Sequence, residues 1–475
     1  MKKSILIISI LLIAMTFSSA IFAENLAEKY FKEGKSYLYN RDNAQAVSSL
    51  TKAIEINKDY LEAYAFRGYA YFNQNQFDNA IEDFSVVISL NPNGTDAYMR
   101  RALSYHKLNN FEKAILDYST VIDLAPDDYT YMNRGVAYVD QKQYDKAIAD
   151  FSAAIKINPN FVTAYYNRGN TYNYLKQLDK AIDDYSTAIK LDPNYIDAYF
   201  NRGLLYNKQN KFENAISDFS TLIKLVPNDA KYYYNRGIVY NKQSKFDEAI
   251  KDFSAAIKRD PNDARYYNNR GSVYDNQKKH AKAIPDFDTA IKLNPDFTTA
   301  YLNRGLAYAK QNHFDNAILD FSTAIKLDPN NYVPYLSRAT IYIIQEKHDK
   351  VIEDCSAVIK LNPNDASAYY NRGVSYAHQS QFDNAIEDFS AAIKLDPNNI
   401  NCYYSRGLTY TKHKQYDKAI EDISTAIKLD PNNFSFYIFR SALYIRLDNI
   451  AAAQKDFLMA AEKSFIASSN LLCLL

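Results

Sequence analysis

Tryptophan is absent from this 475-residue chain, and the 3 cysteines, 11 glycines and 13 prolines are few for its length. Cys355, Cys402 and Cys473 cannot close a disulfide framework, and no two of them stand at metal-ligand spacing. An excess of one charge is also missing, the formal net charge being +1. Taking away Lys2 and Lys3 gives +1 − 2 = −1, so no basic surplus exists to neutralise a phosphate backbone, which excludes nucleic acid as an expected partner. No phosphate-cradling loop or dinucleotide-binding glycine pattern occurs. The 6 histidines form no i, i+4 pair, and the carboxylates recur periodically instead of gathering in a dyad. No cofactor, metal or enzymatic activity is therefore expected.

Long apolar runs are confined to the start. Lys2 and Lys3 precede an apolar stretch from Ile5 to Met15 and a small-residue region from Thr16 to Ala23. That order predicts a signal peptide over residues 1–23, cleaved after Ala20 or Ala23, because the apolar run is short of the roughly 20 residues a bilayer span needs. The mature chain is expected to be exported, to the periplasm or beyond the cell, with no integral membrane span.

What the chain has in abundance is repetition. Gly34, Gly68, Ala102, Gly135, Gly169, Gly203, Gly237, Gly271, Gly305, Ala339, Gly373, Gly407 and Ser441 recur at 34-residue steps, with one 33-residue step after Ala102. Thirteen copies run over residues 27–467, and a short apolar segment, 468–475, follows. A period of this length marks a stacked array in which no unit buries its apolar face alone.

Residues 196–229 show one unit. Tyr199, Gly203, Leu205 and Tyr206 mark an amphipathic helix, Lys208 to Lys211 a polar break, and Phe212, Ala215, Ile216, Phe219, Leu222 and Ile223 a second helix. Glu213 in its first turn favours the positive end of the helix dipole, and Pro227 stops the unit. Gly203 and Ala215 are expected where the two helices approach closely, and Pro285 near the start of its helix, where a missing N–H is tolerated.

The series Tyr199, Gly203, Tyr206, Ala215, Phe219, Leu222, Pro227 resembles the tetratricopeptide repeat, with Tyr where that family usually has Trp. The resemblance implies an all-α fold, a right-handed superhelix of thirteen helix-turn-helix repeats whose first helices line a concave groove. Numbering slots from the first residue of each repeat, slot seven departs from the family: it is Arg in twelve copies, and sixteen residues later comes an Asp. The first copy lacks both, having Glu33 and Ser49. Joint presence and joint absence predict an ion pair, within a repeat or across a junction.

Groove positions implied by the resemblance carry amides. Slot six is Asn133, Asn167, Asn201, Asn235, Asn269 and Asn303 in six successive repeats, and Asn170 adds a slot-nine amide. An amide both donates and accepts, so it can match the peptide groups of an extended ligand whatever its sequence. The series resembles the asparagine ladder in the tetratricopeptide domain of O-GlcNAc transferase, although the same amides could instead link neighbouring helices. Tyr166, Phe200 and Tyr234 in slot five are candidate aromatic anchors or packing residues, and Lys231 and Arg265 supply cations. Asn170, Asn201 and Lys231 match part of the carboxylate clamp of some family members, but Tyr166 and Asn235 stand where that clamp has Lys and Arg. The expected function is a non-enzymatic scaffold or adaptor holding peptide or protein segments in its groove. The alternatives are a structural or host-interaction protein acting through its convex surface or C-terminal tail, self-association through that end, and a co-chaperone-like binder of a partner's C-terminus.

Overall fold

The protein is described by a computed structural model over residues 22–472, with side chains over 22–464. The expected leader lies, but for its last two residues, outside the described residues. Helix occupies residues 22–39, so the array's first helix begins before the predicted start at residue 27. From there every described element is helical, and the helices keep the register of the repeat: Leu61–Asn73 with Phe77–Leu90, and so on to Phe434–Arg446. Between the array's first and last helices, the first helix of a repeat has 13 residues and the second 14, as in Ile196–Lys208 and Phe212–Leu225.

The turn between them comes from the residue in slot fifteen. In all thirteen copies it has φ between 56° and 60°, and in none is it glycine: Asn75, Lys176, Ser244 and Glu346 are examples. Around it, the N–H of Asn75 bonds the Phe72 carbonyl and that of Gln76 the Tyr71 carbonyl, 3.0 and 2.9 Å apart. This left-handed cap satisfies carbonyls that the end of the first helix would otherwise leave bare.

Inside a repeat the slot-eight glycine faces the slot-24 ring. A Cβ added at Gly305 would stand 2.7 Å from the Phe321 ring, and one at Gly135 2.7 Å from that of Phe151. The close approach is therefore ring against backbone, with the slot-20 alanines (Ala147, Ala215, Ala317) fully buried alongside. The repeat that has Ala339 in the glycine's place also has Cys355 in the ring's place, a paired change that conserves room. Ala102, whose repeat keeps Tyr118, and Ser441, whose repeat keeps Phe457, are the exceptions.

Contacts divide the chain into two units, Met1–Pro227 and Asn228–Leu475. Within each, successive first helices touch, as Asp128–Asp140 does Val162–Tyr174 and Ala264–Asn276 does Thr298–Lys310. Successive second helices do not approach as closely. The first helices are thus the inner row of each unit.

Two expectations are corrected. Pro285 is the sixth residue of His280–Leu293, past the first turn, so it removes a bond that an N–H there would make to the Ala281 carbonyl. The expected tail at 468–475 is no separate segment as far as Leu472, because the last helix runs unbroken over Ile450–Leu472. Phe465 occupies the slot where other repeats have proline. At the first junction Lys58 replaces proline and the helix still ends at Ile56, since a next helix must start at Leu61.

Candidate functional site

The arginines of slot seven are consumed by the fold. Each donates Nε and Nη2 to the two carboxylate oxygens of its Asp, from Arg67–Asp83 to Arg202–Asp218, Arg304–Asp320 and Arg440–Asp456, at 2.7–2.9 Å. The ion pair lies within a repeat. The junction is bonded too: Nη1 of Arg202 reaches back to the Ser186 hydroxyl of the preceding repeat at 2.9 Å, and Arg406 to that of Ser390 at 2.8 Å. Tyr199 and Tyr206 flank Arg202 with ring centroids 5.6 and 5.7 Å from the guanidinium carbon, a second use for residues expected only to fill volume. Burial pushes the carboxyls of Asp83, Asp218, Asp320 and Asp354 up from the ordinary carboxylate value, against the arginine hydrogen bonds that lower it.

The slot-six asparagines lie half-buried on the first helices, and their amide nitrogens are largely committed. Asn133 and Asn235 donate to the carbonyls of Tyr129 and Lys231 in their own helices, at 3.0 and 2.8 Å. Asn201 crosses to the previous repeat, donating to the Tyr166 hydroxyl and to Oδ1 of Asn170 at 3.1 and 3.0 Å. Asn269 donates to the Tyr234 hydroxyl and to the Arg265 carbonyl. Asn303 donates to Asn268 and Ser272. Among the described residues no hydrogen bond reaches the side-chain oxygen of any of these asparagines, and the Asn167 side chain makes no bond at all. The row is therefore mixed: the nitrogens of Asn201, Asn269 and Asn303 tie neighbouring first helices together, and the side-chain oxygens of all six accept no bond.

The aromatics pack. Tyr166 lies against Tyr185 and Tyr195 with centroids 5.9 and 5.2 Å apart, Phe200 against Phe219 at 6.2 Å, and Tyr234 against Phe253 and Tyr266 at 5.9 and 4.9 Å. Asn170 accepts from the buried Tyr185 hydroxyl at 2.7 Å, besides Asn201. Arg265 is exposed, ion-paired to Asp263 and 5.7 Å from the Tyr234 ring, and Lys231 is exposed with its ammonium 4.0 Å from Asp229. No group of three or more His, Cys, Asp or Glu that could hold a metal occurs among the described residues.

Sequence comparison agrees with this geometry. Family models described as tetratricopeptide repeat match residues 31–95, then 95–128, 230–263, 264–297, 298–331, 366–399 and 400–433. One described as TPR repeat matches 135–173, 169–210 and 203–244. The chain belongs to the tetratricopeptide repeat family. The stretch around Ala339 and Cys355, where the glycine and the ring are both replaced, lies outside those matches.

No curated protein sequence matches this tetratricopeptide chain. Among solved structures it is similar to YrrB, a TPR protein with an unusual peptide-binding site, at 24% identity over 39% of this chain and 95% of that one, with a TM-score of 0.37. It is also similar to the C-terminal part of a TPR repeat-containing protein from Cytophaga hutchinsonii, at 21% over 50% and 98%, TM-score 0.45. Yeast Tom70 matches at 18% over 90% and 98%, TM-score 0.36. An array of this kind is suited to binding other proteins, and no described helix is long and apolar enough to cross a membrane.

Residues that the sequence alone did not single out complete the bonds between repeats. Asn268 and Ser272 receive Asn303, and the slot-25 serines receive the arginines. The regular Ser at slot 25 was the signal available for the second, since it recurs with the same period as its Arg.

Proposed function

We propose that this tetratricopeptide protein is an exported, non-enzymatic scaffold that holds an extended protein segment along its inner row of first helices. The observation that supports this reading is the unbonded Oδ1 of the slot-six asparagines. These oxygens can accept from the peptide N–H groups of an extended chain, whose spacing does not depend on its side chains. Tyr166 and Tyr234 stand beside them, and Lys231 and Arg265, each beside a carboxylate of its own repeat, edge the same row. Affinity is additive, each hydrogen bond contributing roughly 1 kcal/mol net. Export rests on the basic and apolar pattern of residues 1–23.

Asn133, Asn167 and Asn235 give the clean test, because none of them bonds a neighbouring repeat. Replacing all three by Ala leaves the helices intact and removes three acceptors, so partner affinity is expected to fall roughly a hundredfold. Affinity capture from the exported fraction, quantified against the parent protein, reads this out. Unchanged capture with an unchanged circular dichroism spectrum would return these amides to a solvating role.

A further inference from the structure

The last repeat ends the array on an apolar face. In each earlier repeat the slot-24 side chain, from Leu50 and Phe84 to Phe389 and Ile423, is at most 1% exposed, whereas its counterpart Phe457 is 64% exposed. Beside it Leu458 is 70%, Ile445 56% and Ile450 52% exposed. Together with Ser441 and Ala453 they line a groove of about 500 Å³. Ser441 donates to the Ala453 carbonyl at 2.9 Å, next to where the slot-24 ring packs in other repeats.

The identity of slot 25 decides what this face is built for. At the internal junctions that slot carries an oxygen, as in Ser186, Ser390 and Ser424, and receives the slot-seven arginine of the next repeat. At the end of the array it is Leu458. The first repeat correspondingly has Glu33 in slot seven, so stacking a second copy head to tail would press a carboxylate onto Leu458 and desolvate it unpaired. That arrangement is disfavoured at both of its surfaces.

A two-fold arrangement has no such conflict. Lys455 lies three residues before Leu458 and Glu462 four residues after it, on the same side of the last helix. Neither has a charged partner among the described residues of the chain. Two copies of this helix crossing antiparallel about Leu458 bring Lys455 to the partner's Glu462 and the partner's Lys455 to Glu462, flanking a centre in which Leu458 is buried with Phe457 beside it. We propose that the apolar end face of the last repeat docks on the same face of a second copy, giving a tail-to-tail dimer with isologous symmetry.

Sedimentation equilibrium of the full chain tests this. The parent should show a monomer–dimer equilibrium at micromolar concentration, and Leu458→Arg should be monomeric throughout with an unchanged melting curve. Lys455→Glu or Glu462→Lys alone should weaken the dimer roughly tenfold or more, and the two together should restore it. A parent monomeric at every concentration, a dimer indifferent to Leu458→Arg, or single and double charge variants that behave alike would overturn the proposal. A mass that grows without limit would do so too, since it would mean head-to-tail stacking.

Discussion

Asp218 and Arg202 show what a single residue contributes to this array. Asp218→Asn removes the charge that two guanidinium nitrogens share, and leaves Arg202 flanked by Tyr199 and Tyr206 with only the Ser186 hydroxyl as a full partner. Because a partly buried cation is then uncompensated, the substitution is expected to cost about 3 kcal/mol, read as a lower urea midpoint. No loss would mean the pair is energetically idle. The slot-24 tyrosines offer a contrast. Tyr118 is fully buried, its hydroxyl has no partner, and burial pushes its ionisation well up; the Tyr185 hydroxyl bonds Asn170. Tyr118→Phe should therefore be neutral or stabilising by up to about 1 kcal/mol, while Tyr185→Phe should cost about 1 kcal/mol. Equal effects in thermal melts would contradict the assignment. At this scale the Arg–Asp pair was legible because both members vanish together in the first repeat. The Ser contact was not, since nothing in one sequence distinguishes a bonded serine from a solvated one.

The helices were legible nearly to the residue, because apolar spacing and the polar break repeat thirteen times in one register. The turn was not. Its left-handed residue usually advertises itself as glycine, and here it is Asn, Lys, Ser, Arg, Glu or Asp, held by the capping bonds around it. Pro285 was misjudged for a related reason: composition places a proline in a helix but not the turn it falls in. At the sixth position it costs an internal hydrogen bond, yet the helix tolerates it because the residue is exposed. Glu occupies the same slot at Glu82, Glu353, Glu387 and Glu421. Pro285→Glu is accordingly expected to stabilise the protein by about 1–3 kcal/mol, seen as a raised melting temperature. A lower melting temperature would show that the proline is needed where it stands. The unbroken last helix follows the same logic, since Phe465 stands where other repeats have the proline that stops the helix.

For the whole molecule, a repeat protein's surface is its instrument, and each surface here has a distinct chemistry. The Arg–Asp pairs inside the repeats are partly buried, the inner row carries unbonded amide oxygens, and the end face carries Phe457 and Leu458. Which helices form the inner row was implied by the family resemblance, and it is borne out within each unit by the contacts between first helices. That the asparagine nitrogens tie the row together could not be read from sequence, because it depends on which hydroxyl lies opposite each amide.

Site-directed photocrosslinking tests the central claim, that ligands lie along this inner row, most directly. A photoreactive side chain is placed at Asn235 on a first helix, or at Lys251 on the second helix of the same repeat, and irradiated in the compartment where the protein resides. The account predicts that position 235 captures a partner polypeptide and position 251 does not. Capture at 251 with none at 235 would contradict it.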